Sequence, residues 1–289
     1  MGFAGPIREA AIKDRPGSPE GTHRTSELAR EIRRSDHCRS IRRRPKMSVP
    51  NSPAYRSGSL WSLYRWFYDK IYSHLYDLAI AWVFLPFGGE KNFRNKLLEP
   101  LSFSGDEEIL ELCCGTGGCT MAIREKSGPG TKILGCDLSY GQIRAAKRKN
   151  GFRNVDFFVA DARRTGLPSG KFDMVLVTHA LHEMPRGDRL SVLAEAKRLT
   201  RQDGTVVVLE LARPSNGAVR FVQGFWLGYW IPWPINFENR TRRDMLKWGL
   251  ANEVSEAGFT DVKTTLKFSG STQVVTGRHR EPMGGDEIA

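Results

Sequence analysis

The sequence predicts an α/β fold, a doubly wound and mostly parallel sheet of seven strands with helices on both faces and an antiparallel hairpin at one edge. Three observations predict it. From residue 107 onward, short apolar runs alternate with stretches of helical length, the pattern of a parallel sheet with crossover helices. The first run passes through a glycine-rich turn directly into a helix. The last two runs have no long helix between them, which suits a hairpin.

The elements follow in order. Residues 1–60 read as a basic tail of Arg, Ser, Gly and Pro that cannot bury enough apolar area to offset its chain entropy, and disorder is expected. Its scattered acids argue against a transit peptide, and Met47 is an alternative initiator. Residues 61–105 are expected to form a helical cover on the substrate side, rich in Trp and Tyr at helical spacing. The apolar run 78–87 within it is too short to cross a bilayer core of about 30 Å. Strands are predicted at 108–113, 132–136, 155–159, 172–177 and 205–209, with helices at 119–126, 140–149 and 186–199. A helix over 241–257 precedes the hairpin strands 261–268 and 272–276. The core domain thus spans 106–280, with an aromatic insert at 219–237 and a short tail at 281–289.

The formal net charge is +12, and about half of it lies in the first 60 residues. Because that charge sits where folding is least expected, it makes no strong case for nucleic acid. Five cysteines, with no secretory signal, fit reduced thiols and a cytoplasmic setting. Cys113, Cys114 and Cys119 crowd one turn but lack zinc spacing and a fourth ligand, so no metal is expected.

The chemistry concentrates at strand ends. Glu111-Leu-Cys-Cys-Gly-Thr-Gly-Gly118 closes the first strand; Gly115 and Gly117 permit a tight turn, and the next helix offers its free amides. Roughly 20 residues on, Cys136-Asp137-Leu138-Ser139 closes the second strand with an acid where ribose hydroxyls are held in dinucleotide-type sites. Asp161 and Ala162 close the third strand. Singly, each acid also reads as a helix cap or turn former; together they converge on the carboxyl edge, where open α/β sheets bind ligands. The fourth strand runs into Thr178-His-Ala-Leu-His-Glu-Met-Pro185. Here His182 and Glu183 are candidate general bases, or simply a loop before the next helix, and His179 is a candidate cofactor neighbour or a packing residue.

On these motifs, residues 61–277 resemble the class I S-adenosylmethionine (SAM)-dependent methyltransferases, and most of all the ubiquinone/menaquinone-biosynthesis C-methyltransferase group. The pieces that carry the resemblance are Ile109-Leu-Glu-Leu-Cys-Cys-Gly-Thr-Gly-Gly-Cys-Thr120, Gly135-Cys-Asp-Leu-Ser139, Val159-Ala-Asp-Ala162, Phe172-Asp-Met-Val175 and Asp203-Gly-Thr-Val-Val-Val-Leu-Glu210. The resemblance implies a Rossmann-like core with SAM as cofactor. Glu111, Gly115, Gly117 and Thr120 would border its methionine end and Asp137 and Leu138 its ribose. Asp161 and Ala162 would meet the adenine, with Thr178 and His179 beside the sulfonium. It also implies methyl transfer to a hydrophobic small molecule or lipid, in the first instance carbon methylation of a quinone precursor.

The chain departs from that group in its loop cysteines and in the aromatic stretch after Ser215. That stretch reads as an acceptor pocket, a packed lid or a membrane-surface patch; Tyr64, Tyr72, Trp226 and Trp230 are the substrate-side candidates. Peripheral membrane contact is one expectation that follows. A lipid amine N-methyltransferase, such as one acting on a phospholipid, is the alternative enzyme, and a non-catalytic SAM-binding or nucleic-acid-associated protein the alternative outside enzymes. The signature of base amino methylation, Asn/Asp-Pro-Pro-Tyr/Phe, is absent after the fourth strand.

Overall fold

A computed structural model of the chain describes residues 84–85, 88–226 and 238–280. The expected tails, most of the 61–105 cover, and Tyr64, Tyr72 and Trp230 lie outside these residues. Seven strands form one sheet: β1 (Glu108–Leu112), β2 (Lys132–Asp137), β3 (Val155–Val159), β4 (Phe172–Thr178), β5 (Thr200–Leu211), β6 (Thr260–Lys267) and β7 (Thr272–Arg278). Their order across the sheet is β3-β2-β1-β4-β5-β7-β6. Strands β1 to β5 pair in parallel, and β7 runs antiparallel to both neighbours. The expected hairpin is present, with its second strand inserted between β5 and β6.

The central strands are buried on both faces because alternate side chains enter different cores. On one face Leu110, Leu112, Val175, Val177, Val206 and Val208 form a single cluster. It packs on α4 (Arg186–Leu199), α6 (Glu238–Trp248) and α7 (Leu250–Glu256) through Leu193, Met245 and Val254. On the other face Ile109, Leu176, Val207 and Leu209 meet α1 (Glu90–Leu97), α2 (Gly118–Ser127) and α3 (Tyr140–Lys149) through Leu97, Ile123 and Ile143. One further helix, α5 (Gly217–Trp226), follows β5.

The sequence predicts one helix over 241–257, whereas α6 and α7 are separate. Gly249, at φ 82°, breaks them, since a residue with that φ cannot continue a right-handed helix. Strand β5 also begins earlier than the apolar run suggests. Thr200 pairs with Phe172 across a register shift, and Asp203 takes φ 60° inside the irregular segment.

Strands β2 and β4 flank β1 on opposite sides, so the chain winds away from β1 in both directions. That reversal opens a crevice at the carboxyl ends of β1, β2 and β4.

Candidate active site

The loop after β1 is shaped by packing as much as by ligand access. Cys113 and Gly115 have φ of 57° and 55°, and Gly117, at φ 78°, caps α2. A Cβ on Gly117 would lie 2.7 Å from Cζ of Phe157 and 3.2 Å from Cβ of Ala146. A Cβ on Gly135 would lie 2.6 Å from the same Phe157 ring. Glycine is therefore needed at 117 for its dihedral and for the phenyl ring of β3. A Cβ on Gly118 would meet the Glu90–Arg94 ion pair of α1, which lies against the start of α2.

Glu111 is completely buried on β1. It accepts hydrogen bonds from the hydroxyls of Thr120 on α2 and Thr178 at the end of β4. Burial pushes its carboxyl above the usual range; the two hydroxyls and Arg94 pull it back, while Asp137 adds to the push. Three of the expected cofactor residues thus form one cluster.

Asp137 ties two strand ends together. Its carboxylate accepts from the amides of Gly115 (3.0 Å) and Ser139 (2.9 Å), and Cys114 N donates to Cys136 O at 2.9 Å. Ser139 in turn caps α3 through Gln142 N. Leu138 is half exposed at this rim. Asp161 accepts from Arg163 at both carboxylate oxygens, and Arg163 also reaches Asp188 of α4 at 3.0 Å. Ala162 is buried beside it.

Burial pushes the thiols of Cys113, Cys114, Cys119 and Cys136 upward, which keeps them protonated packing groups rather than metal-binding thiolates. Among the described residues, no group of three His, Cys, Asp or Glu is placed to hold a metal.

Beyond Thr178 the chain turns sharply, with His179 at φ 48° and its amide bonded to Leu209 O. A 3-10 turn, Leu181–Glu183, follows. Both imidazoles face one carboxylate, Glu210 near the end of β5: Nδ1 of His182 lies 2.8 Å from Oε1, and Nδ1 of His179 lies 4.0 Å from it. Glu210 is completely buried. Burial works against its charge, but the pull of His182 and His179 and the Leu211 amide hold its carboxyl down at about 2. Burial dominates at His179 and lowers its imidazole to about 4, so that ring is neutral near pH 7. Glu183 shares the turn with His182 and lies close enough to the Cys113 thiol to bear on it electrostatically.

Two residues here escape the sequence reading. Glu210 sits in the apolar run Val206-Val-Val-Leu-Glu-Leu211, and a lone acid among strand residues buried on both faces is a signal that was available. Arg94 carries no such mark; it is one of several basic residues on an amphipathic helix. Trp226 closes α5, while Phe221 and Phe225 on that helix are 76% and 60% exposed, so neither lines a closed pocket.

A cofactor that carries ribose hydroxyls and two positive groups fits an edge set with Glu111, Asp137 and Asp161. Open α/β sheets bind ligands at such an edge, and comparison gives the class. A methyltransferase-domain family model matches residues 109–204. An uncharacterized methyltransferase of Synechocystis sp. is 30% identical over 216 residues, 74% of this chain and 94% of that protein. The chain belongs to the SAM-dependent methyltransferases.

Demethylmenaquinone methyltransferase of Bacillus velezensis is 27% identical over 168 residues, 57% of this chain and 70% of the relative. That of Lactococcus lactis is 36% identical over 110 residues, 37% of this chain and 43% of the relative. Among solved structures, human N-acetylserotonin methyltransferase in complex with SAM superposes with a TM-score of 0.50. Its identity is 15%, over 74% of this chain and 60% of that one, a likeness of fold.

Proposed function

We propose that the chain methylates a ring carbon of a hydroxylated quinone precursor. The observation that carries this reading is the His182–Glu210 pair at the carboxyl edge, one turn beyond Thr178. Carbon methylation of a phenol requires loss of a proton, and an imidazole held against a carboxylate is suited to take it. Similarity to the demethylmenaquinone methyltransferases supports the same acceptor class.

When bound, SAM supplies an electrophilic methyl group. On this reading Glu111, Gly115, Gly117 and Thr120 border its methionine end, and Asp137 with Leu138 its ribose. Asp161 and Ala162 would meet the adenine, and Thr178 with His179 would line the reacting end. The chain's own part is alignment of the acceptor and movement of one proton. His182 takes the phenolic proton, which makes the ring carbon nucleophilic. Once methylated, the ring carbon would lose its own proton to solvent. The proton on His182 then returns to the oxygen. Glu183, beside His182 on the turn, is the second candidate for the proton acceptor.

The acceptor is hydrophobic, and α5 suits delivery from a membrane surface. Its Gln223 turns inward to the carbonyls of Ala212 (3.2 Å) and Ser271 (2.9 Å), whereas Phe221 and Phe225 face outward beside exposed Arg213 and Arg220. Among the described residues no helix is long and apolar enough to cross a membrane. We propose peripheral contact with the bilayer through this outward face of α5, on the cytoplasmic side that the protonated, buried thiols suit.

Transfer of labelled methyl from SAM tests the acceptor. The label is expected in a demethylated quinol and not in phosphatidylethanolamine presented in the same vesicles. Label in the amine alone overturns the quinone reading and favours lipid N-methylation.

A further inference from the structure

Glu210 is held on every side that the described residues show. Its Oε1 accepts from Leu211 N at 2.7 Å and meets Nδ1 of His182 at 2.8 Å, and its Oε2 accepts from His182 N at 3.3 Å. The side chain has no solvent exposure, and its neighbours along β5, Val208 and Leu209, are core residues. An apolar residue there would avoid the desolvation cost that an uncompensated buried carboxylate carries. The acid is thus an expensive choice for packing alone.

We infer that Glu210 is a positioning residue of the methyl-transfer site, which holds the His182 imidazole with its proton on Nδ1 and so makes Nε2 the atom that accepts the substrate proton. The inference rests on the reading of His182 as the base. A carboxylate accepts only, so neutral His182 must present N–H at Nδ1 to it, and the lone pair is then on Nε2. The step balances simply: the acceptor's O–H bond breaks, an Nε2–H bond forms, and the imidazolium is matched by the carboxylate.

The second imidazole marks the division of labour. His179 lies farther from the carboxylate, and among the described residues its buried Nε2 has no hydrogen-bond partner. Two like groups in different surroundings take different roles: the carboxylate holds His182 in one orientation and leaves His179 aside. Among the described residues, further charged groups lie near the pair. Arg94 of α1 acts on His179 and on Glu111, and Glu183 follows His182 in the turn. From α6, which packs against that turn, come buried Arg242 and the partly exposed Asp244, which is bound to Arg189 at 2.9 Å.

Nitrogen NMR of the full chain, with S-adenosylhomocysteine present, reads the tautomer without any acceptor. The expected result is neutral His182 protonated at Nδ1; an Nε2-protonated neutral ring overturns the proposal. In Glu210→Gln the imidazole is expected to titrate at lower pH than in the parent chain. The acid limb of the kcat profile should move with it, and kcat should fall at least about 10-fold. Glu210→Asp should recover part of both, and the affinity for S-adenosylhomocysteine should hold in each variant. An unmoved limb, or loss of rate only in step with loss of cofactor binding, leaves Glu210 a structural residue and sinks the idea. Should Glu210→Gln not fold, the tautomer of the parent chain decides alone. Because the NMR measurement needs no quinol, failure of the quinone reading and failure of this one are separable.

Discussion

At the scale of single residues, the cofactor loop shows why a glycine-rich turn is a weak signal when read alone. Gly117 serves two masters, the left-handed cap of α2 and the ring of Phe157 on β3. Gly117→Ala should therefore destabilise the fold by about 1–3 kcal/mol, measured by urea unfolding. Pairing that change with Phe157→Leu should recover part of the loss, because only the contact and not the dihedral is relieved. No recovery would show that backbone strain accounts for the whole cost. The position of Gly117 is plain in the sequence, whereas its partner 40 residues away is not, since nothing local links β3 to the loop.

Among elements, one junction near the β4 exit is tied by a single buried guanidinium. Arg189 on α4 is fully buried and donates to both oxygens of Glu253 on α7, to Asp244 on α6 and to the carbonyl of Met184. One guanidinium thus joins three helices to the turn that carries His182. Arg189→Met leaves the acids unpaired and should cost about 3–5 kcal/mol in unfolding experiments. Since Met184 O also loses its donor, kcat should fall more than the affinity for SAM; equal losses in both would place the effect in the whole domain. Helical periodicity over 186–199 fixes α4, but it gives no hint that a basic residue on the helix points inward. The break at Gly249 is hidden for a related reason. A glycine within an amphipathic stretch reads equally as a weak helix residue or a stop, and only the packing of α6 on the 3-10 turn selects the stop.

Across the whole molecule, acid sensitivity should follow from the buried His179 and Glu210. The imidazole of His179 is lowered to about 4 from an ordinary value near 6.5, so the unfolded chain binds the extra proton and stability falls as pH drops through that window. The shift corresponds to a term on the order of 3 kcal/mol. Glu210, held down at about 2, stabilises the fold above its ordinary value near 4.3 and loses that contribution as pH falls toward 2. Thermal melts should therefore decline from about pH 6.5 downward in two overlapping stages. His179→Asn, a residue that tolerates the left-handed region, should remove the first stage and shrink the second without abolishing it, since His182 still faces Glu210. A melt curve unchanged by that substitution would count against the neutral imidazole. The sheet that sets up these environments is legible in the alternation of strands and helices, as are Asp137, Asp161 and Thr178 at its strand ends. Glu210 and Arg94 are less so, because their meaning lies in which distant groups they touch.

The insertion of β7 between β5 and β6 has a consequence for the growing chain. As synthesis proceeds from the amino end, β5 emerges with one flank open, and β6 cannot close it. The backbone groups around Glu210 stay unpaired on that side until residues 272–278 have left the ribosome. Until then the nascent chain presents an open strand edge, the feature most prone to pair with a neighbour's. Methyl-transfer competence and protection from aggregation should accordingly arrive together, late, with the same few residues.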